Sequence, residues 1–150
     1  MDRNASEEIR KFNRFYSSAI GIFDFYSIHP VLSDIECRIL YEIMECKNIT
    51  AKELLEILHI DRGYLSRTLA KLEKNGYIVR AESEIDHRRK NIELTDKGKE
   101  ALSLCIENAN INSENQFGGL SDEDLDKIIG AMRLIQEVFT SGQKPKPFSK

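Results

Sequence analysis

Long apolar runs are missing from this sequence. No stretch of about eighteen consecutive apolar residues occurs, so no segment is long enough to span a bilayer as a helix. Asp2, Glu7, Glu8, Arg10 and Lys11 crowd the start of the chain and exclude a secretory leader there. The expected location is therefore cytoplasmic, with no membrane partner. Cysteine is scarce as well: Cys37, Cys46 and Cys105 show none of the C-x-x-C spacing of zinc or dithiol sites. An odd number fits a reducing compartment, and each thiol reads as a small buried hydrophobe. Cys46, beside Lys47, is the one expected nearest the surface, but the C-terminal end of a helix does not favour a thiolate, and redox control is not expected. His29, His59 and His87 are scattered without metal-ligand spacing. A glycine-rich phosphate loop and a nucleophile elbow are both lacking, and the carboxylates read as helix caps and solvated faces. Neither an enzyme nor a metal or cofactor is expected.

What is present fits one domain of 150 residues, 41% of them hydrophobic, enough for a core without disulfide staples. The formal charge is −3, yet from Asp61 to Lys90 eight Lys or Arg face five Asp or Glu, a local net of +3. A basic segment on an acidic body points to a polyanion-binding edge.

Helical spacing of Ile9, Phe12, Tyr16, Ala19, Phe23 and Tyr26 predicts a first helix over 6–26, broadened by Phe15, Ile22 and Phe25. After His29-Pro30, Ser33 and Glu36 form a capping-box pair opening a second helix with Ile35, Ile39, Leu40 and Ile43 inward. Thr50 and Glu53 repeat the device for a two-turn helix ending near Leu58, with Ile49 stapled to Leu54. Asp61 caps a fourth, whose Leu65, Leu69 and Leu72 face inward until Asn75-Gly76 stops it. "YIVR" and "NIELT" read as two strands around a charged tip, "AESEIDHRRK". Thr95 then caps a helix carrying Ala101, Leu102, Cys105, Ile106 and Ala109. A last helix after Gly118-Gly119 aligns Leu125, Ile128, Ile129, Met132, Ile135 and Phe139, and residues 141–150 are expected to be a mobile tail. Two short helices meeting at a turn and followed at once by a hairpin define a winged helix-turn-helix.

The outer side of the fourth helix carries Gly63, Tyr64, Arg67, Lys71 and Lys74, with Ser66 on its flank and Arg62 at its entry. Such a helix fits the major groove, where Arg67 can pair with guanine in bidentate fashion. Gly63 would allow close approach, Ser66 and Tyr64 could meet phosphates or a thymine methyl, and Lys71 and Lys74 are assigned to phosphate. Alone, this pattern is that of an ordinary amphipathic surface helix. The hairpin tip adds Asp86, His87, Arg88, Arg89 and Lys90, an arrangement suited to a narrow minor groove, with Asp86 orienting Arg88.

The run "DRGYLSRTLAKLEKNGYIVRAESEIDHRRKNIELTDKGKEAL", preceded by "LSDIECRILYEI", resembles the MarR family of bacterial winged-helix regulators. The likeness is most specific in the D-x-R-x-x-x-x-x-L-T-x-x-G pattern at Asp86, Arg88, Leu94, Thr95 and Gly98. It implies a mainly α (α+β) fold, with a winged head over 33–94 between long dimerisation helices over 1–30 and 95–140. It also implies a homodimeric, sequence-specific regulator of double-stranded DNA, usually a repressor. The helix from Arg62 to Lys74 would read the major groove and the arginine matching Arg88 the minor groove. The broad apolar faces of the terminal helices independently call for a second copy, whose two-fold symmetry predicts a pseudo-palindromic operator with half-sites roughly 34 Å apart. The family often carries an effector pocket, for which Phe12, Tyr16, Phe23 and His29 are the candidates here, although the same aromatics read more readily as dimer core. "IRKFNRFYSSAIGIFD" and "DRGYLSRTL" are also similar to the MarR-like halves of acetyltransferase fusions, and this chain is too short to add that domain. The competing expectations are a winged-helix protein-interaction module and the partner of a separate acetyltransferase.

Overall fold

The computed structural model describes residues 2–19, 30–82 and 90–141. Its elements are α1 (Arg3–Ala19), α2 (Asp34–Glu45), α3 (Ala51–Leu58), α4 (Arg62–Lys74), β1 (Ile78–Glu82), β2 (Lys90–Leu94), α5 (Asp96–Phe117) and α6 (Asp122–Ser141). The order is that of the expected winged helix-turn-helix. The chain divides into two compact units, Met1–Asn112 and Ser113–Lys150.

In the first unit, α2, α3 and α4 open on the caps read from the sequence. Thr50 accepts the N–H of Glu53 at 3.3 Å, and the Glu53 carboxylate takes the N–H and hydroxyl of Thr50 at 2.8 and 2.7 Å. At Ser33, Glu36 Oε2 accepts both the Ser33 N–H and its hydroxyl, each at 2.9 Å. Asp61 Oδ1 accepts the N–H of Tyr64 at 2.8 Å. The end of α4 also follows expectation, with Gly76 at φ 75° and the Tyr77 N–H returning to the Leu72 carbonyl at 3.0 Å.

That return bond removes Tyr77 from the strand, so β1 begins one residue later than the sequence predicts, at Ile78. The antiparallel register then pairs Ile78 with Leu94 and Arg80 with Ile92. On the other edge of β2, the Ile92 N–H donates to the carbonyl of Ile49 at 2.8 Å, fastening the hairpin to the entry of α3. Ile39, Leu40, Leu54, Leu69, Leu72, Ile78 and Ile92 are fully buried, so the core lies among α2, α3, α4 and the hairpin, closed by Ala101 and Leu102 of α5.

Cysteine pairing differs from expectation. Cys37 of α2 and Cys105 of α5 are buried as predicted, but they are joined in a disulfide, while Cys46 is free and half-buried. A sequence separation of 68 left no local signal of the pairing.

Described α1 runs from Arg3 to Ala19 and buries none of its residues; Ile9, Phe12 and Phe15 are exposed. Residues 20–26 of the predicted helix and the 142–150 tail lie outside the described residues. In the second unit, Ser121 caps α6 by accepting the Asp124 N–H at 3.2 Å. No residue of α6 is buried, and Leu134, Ile135, Val138 and Phe139 are exposed.

Candidate nucleic-acid interface

The turn between α3 and α4 is made by His59 in the left-handed conformation (φ 51°), Ile60, and the cap Asp61. It points the α4 leucines into the core. Leu65, Thr68, Leu69 and Leu72 are buried, whereas Arg62, Tyr64, Ser66, Arg67, Lys71 and Lys74 are exposed. The predicted donor face is thus the solvent face of α4. At Gly63, a Cβ would stand 3.2 Å from Asp61 Oδ1 and 3.3 Å from Arg67 Nη1. The missing side chain leaves room for the Arg67 guanidinium to lie back over the first turn of its own helix.

Ser33, Glu36, Tyr64, Arg67, Thr68 and Lys71 line one open groove between the start of α2 and the middle of α4. At its floor Glu36 is only 2% exposed, and Lys71 Nζ approaches its Oε1 at 2.8 Å. Burial pushes the Glu36 carboxyl up, but the Lys71 ammonium and the Ser33 N–H and hydroxyl outweigh burial and hold it below the ordinary carboxylate range. Lys71 is raised above the ordinary lysine value by its hydrogen bond to Glu36 and by that carboxylate's charge. Lys71, expected as a phosphate contact, is therefore also a cross-link between the two helices. Sequence alone conceals this, because Glu36 is fully explained as a cap and the partners are far apart in the chain.

The base of the wing is fixed to α5 through Thr95. Its hydroxyl donates to the carbonyl of Gly76 at 2.6 Å, lies 3.1 Å from that of Tyr77, and accepts the N–H of Gly98 at 3.0 Å. Lys97 reaches back over the Tyr77 ring, 4.5 Å from its centroid, and donates to the Asn75 carbonyl at 2.8 Å. These contacts explain the L-T-x-x-G pattern as a clasp between the end of α4 and the start of α5. Lys90 is exposed at the start of β2, while Asp86, His87, Arg88 and Arg89 lie outside the described residues. Of the aromatic candidates, Phe12 and Tyr16 stack with centroids 5.5 Å apart; Phe23 and His29 also fall outside. Among the described residues no group of three metal-ligating side chains occurs, and no helix is long and apolar enough to cross a membrane.

A helix-turn-helix with an outward donor face, followed by an antiparallel hairpin, places the molecule in the winged helix-turn-helix class of DNA-binding domains. The MarR family profile matches residues 32–89. An uncharacterised HTH-type transcriptional regulator of Bacillus anthracis is 32% identical over 113 residues, covering 75% of this chain and 74% of that protein. The HTH-type transcriptional regulator SarZ of Staphylococcus aureus (strain MRSA252) is 32% identical over 107 residues, 71% of each chain. Among solved structures, a MarR family protein from Bacillus stearothermophilus superposes with a TM-score of 0.77 at 20% identity, over 93% of this chain and 99% of that one. A MarR family regulator from Listeria monocytogenes, solved with a 26mer DNA, gives 0.68 at 23% identity over 89% of each chain. The fold is shared with these structures, and the chain belongs to the MarR family of transcriptional regulators.

Proposed function

We propose that this protein is a sequence-specific repressor that binds a pseudo-palindromic operator as a homodimer and is released by a small-molecule effector. The observation that carries the reading is the solvent face of α4, where Arg62, Tyr64, Ser66 and Arg67 stand exposed over a buried leucine ladder. Arg67 forms no ion pair with another described residue, so its guanidinium is available to a guanine edge. Gly63 leaves room for that guanidinium beside the helix start, and Lys90, with Asp86, Arg88 and Arg89 of the tip, supplies the minor-groove contact. Residues 33–94 act as the reading head, and 1–30 and 95–140 as dimerisation helices. Exposed apolar residues on α1 and α6, neither of which buries a residue of its own, support a second copy as their cover. The DNA held by the Listeria relative supports the same partner here.

The test is binding to duplexes selected from a random pool, compared with scrambled controls. Arg67→Ala is expected to cost about 1–3 kcal/mol on the selected duplex and to leave scrambled DNA bound nearly as before. Equal losses on both duplexes would refute a base-reading role for Arg67.

A further inference from the structure

We infer that Glu36 is a positioning residue: its buried carboxylate holds Lys71 as a structural cation, so Lys71 neutralises no DNA phosphate and α4 meets the duplex with less sequence-independent charge than its sequence carries. This rests on the DNA-binding reading above and deepens it.

Two cations one helical turn apart on the same face have different surroundings. Arg67 is exposed and makes no ion pair with a described residue. Lys71 Nζ stands 2.8 Å from a carboxylate that is only 2% exposed, and among the described residues it is the only cation within ion-pair distance of that carboxylate. The other oxygen of Glu36 is committed to Ser33, at 2.9 Å from both the N–H and the hydroxyl, so the acid cannot turn away to find a second partner. For Lys71 to move to a phosphate it must strand that buried anion, which costs more than a solvated phosphate contact returns. Should the ammonium touch a phosphate without leaving, the Glu36–Lys71 pair still sums to zero charge and displaces no counterion. The directions of the two titrations agree, since both groups are held in their charged forms across the neutral range.

The consequence is a lower sequence-independent affinity. Sequence-independent affinity follows the number of phosphates neutralised, while discrimination follows contacts to base edges. A carboxylate that withdraws one lysine from the phosphate count lowers binding to random and selected DNA alike and leaves discrimination to Arg67. Sequence alone would enter Lys71 among the phosphate contacts; the buried partner is what removes it.

The experiment measures the salt dependence of binding to a random-sequence duplex about three helical turns long. The full chain is compared with Glu36→Gln, Glu36→Gln/Lys71→Met and, as a contrast, Arg62→Ala. Glu36→Gln frees Lys71 and is expected to steepen the slope of log K against log salt by about 0.9, with tighter binding at low salt. The double variant exchanges one neutral pair for another, keeps shape without stranding a charge, and is expected to return to the wild-type slope. Arg62→Ala should make the slope shallower by about 0.9. If the double variant is also shallower by that amount, Lys71 is an ordinary phosphate contact and the inference is wrong, though DNA binding stands. If the wild-type chain binds neither random nor selected duplexes, the proposed function fails and takes this inference with it. Thermal unfolding of each variant, followed by circular dichroism, establishes that slopes are compared between folded proteins.

Discussion

Replacing Gly98 with alanine tests the clasp that fixes the wing and the end of α4 to α5. A Cβ at this position would lie 2.0 Å from the Tyr77 carbonyl oxygen and 3.0 Å from its carbon, both backbone atoms. Even a weak C–H···O contact needs about 3.3–3.6 Å, so the carbonyl or the helix start must move by more than about 1 Å. That carbonyl accepts the Thr95 N–H at 3.1 Å and lies 3.1 Å from the Thr95 hydroxyl, so the movement loosens both contacts. Overpacking of about 1–3 kcal/mol, with a further loss of about 1 kcal/mol for each weakened hydrogen bond, opposes a gain of at most about 1 kcal/mol in helix propensity. The expected net loss is about 2–4 kcal/mol, or roughly 5–15 °C in melting temperature for a chain of this size. Urea unfolding at fixed protein concentration reads it as a lower midpoint with an unchanged slope. Because Thr95→Val acts on the same carbonyl, the two losses should fall short of adding. A Gly98→Ala protein as stable as the parent, or additive losses in the pair, would show that the clasp does not hold these elements together.

Three other outcomes follow from particular contacts. Reducing the Cys37–Cys105 bond, which closes a loop with a separation of 68, should lower stability by up to about 4 kcal/mol, or roughly 10 °C, a response that Cys105→Ala abolishes and Cys46→Ser leaves intact. Glu36, held below the ordinary 4.5, contributes stability that is complete above that pH and is lost as pH falls through its lower folded value, whereas Lys71, raised above 10.5, loses its contribution only as pH climbs past that value. Urea midpoints followed on acidification should therefore fall less steeply in Glu36→Gln than in the parent; parallel curves would mean the carboxylate is not held as the ion pair requires. On α6, Leu134→Lys with Phe139→Asp puts charge into the exposed apolar stripe and should convert a dimeric mass in light scattering to a monomeric one, at little cost to the fold of a helix that buries none of its own residues.

Local chemistry makes most of this architecture legible in the sequence. Ser33, Thr50, Asp61 and Thr95 each open the helix assigned to them, and Asn75-Gly76 ends α4, because caps and left-handed stops are decided within a few residues. Leucine spacing along α4 also determines which side faces solvent, and so places Arg62, Tyr64, Ser66 and Arg67 on the outer face. The contacts that escape are those between distant parts of the chain: Lys71 with Glu36, Cys37 with Cys105, and Lys97 with Tyr77. No periodicity encodes such meetings, since each depends on the angle at which two helices or a helix and a strand come together. Glu36 misleads for a further reason. One carboxylate has two oxygens, and a complete local explanation for the first conceals the partner of the second.

Charge counting suffers from the same blindness, and the α4 region shows by how much. The stretch from Asp61 to Lys90 counts as +3, but that sum treats every cation as equally able to meet a polyanion. In the folded protein Lys71 is bound to buried Glu36, while Arg80 faces the partly exposed Glu73 at 3.2 Å. The second pair is a weak, solvated contact that a phosphate can displace; the first leaves a buried acid behind if it opens. Two ion pairs of similar length therefore differ in what they withhold from DNA. The deciding quantity is the burial of the acid, because it sets the cost of letting the base go. On this footing Arg62, Arg67 and Lys74 are the α4 cations free to act, Arg80 is a reserve, and Lys71 belongs to the scaffold that aims them.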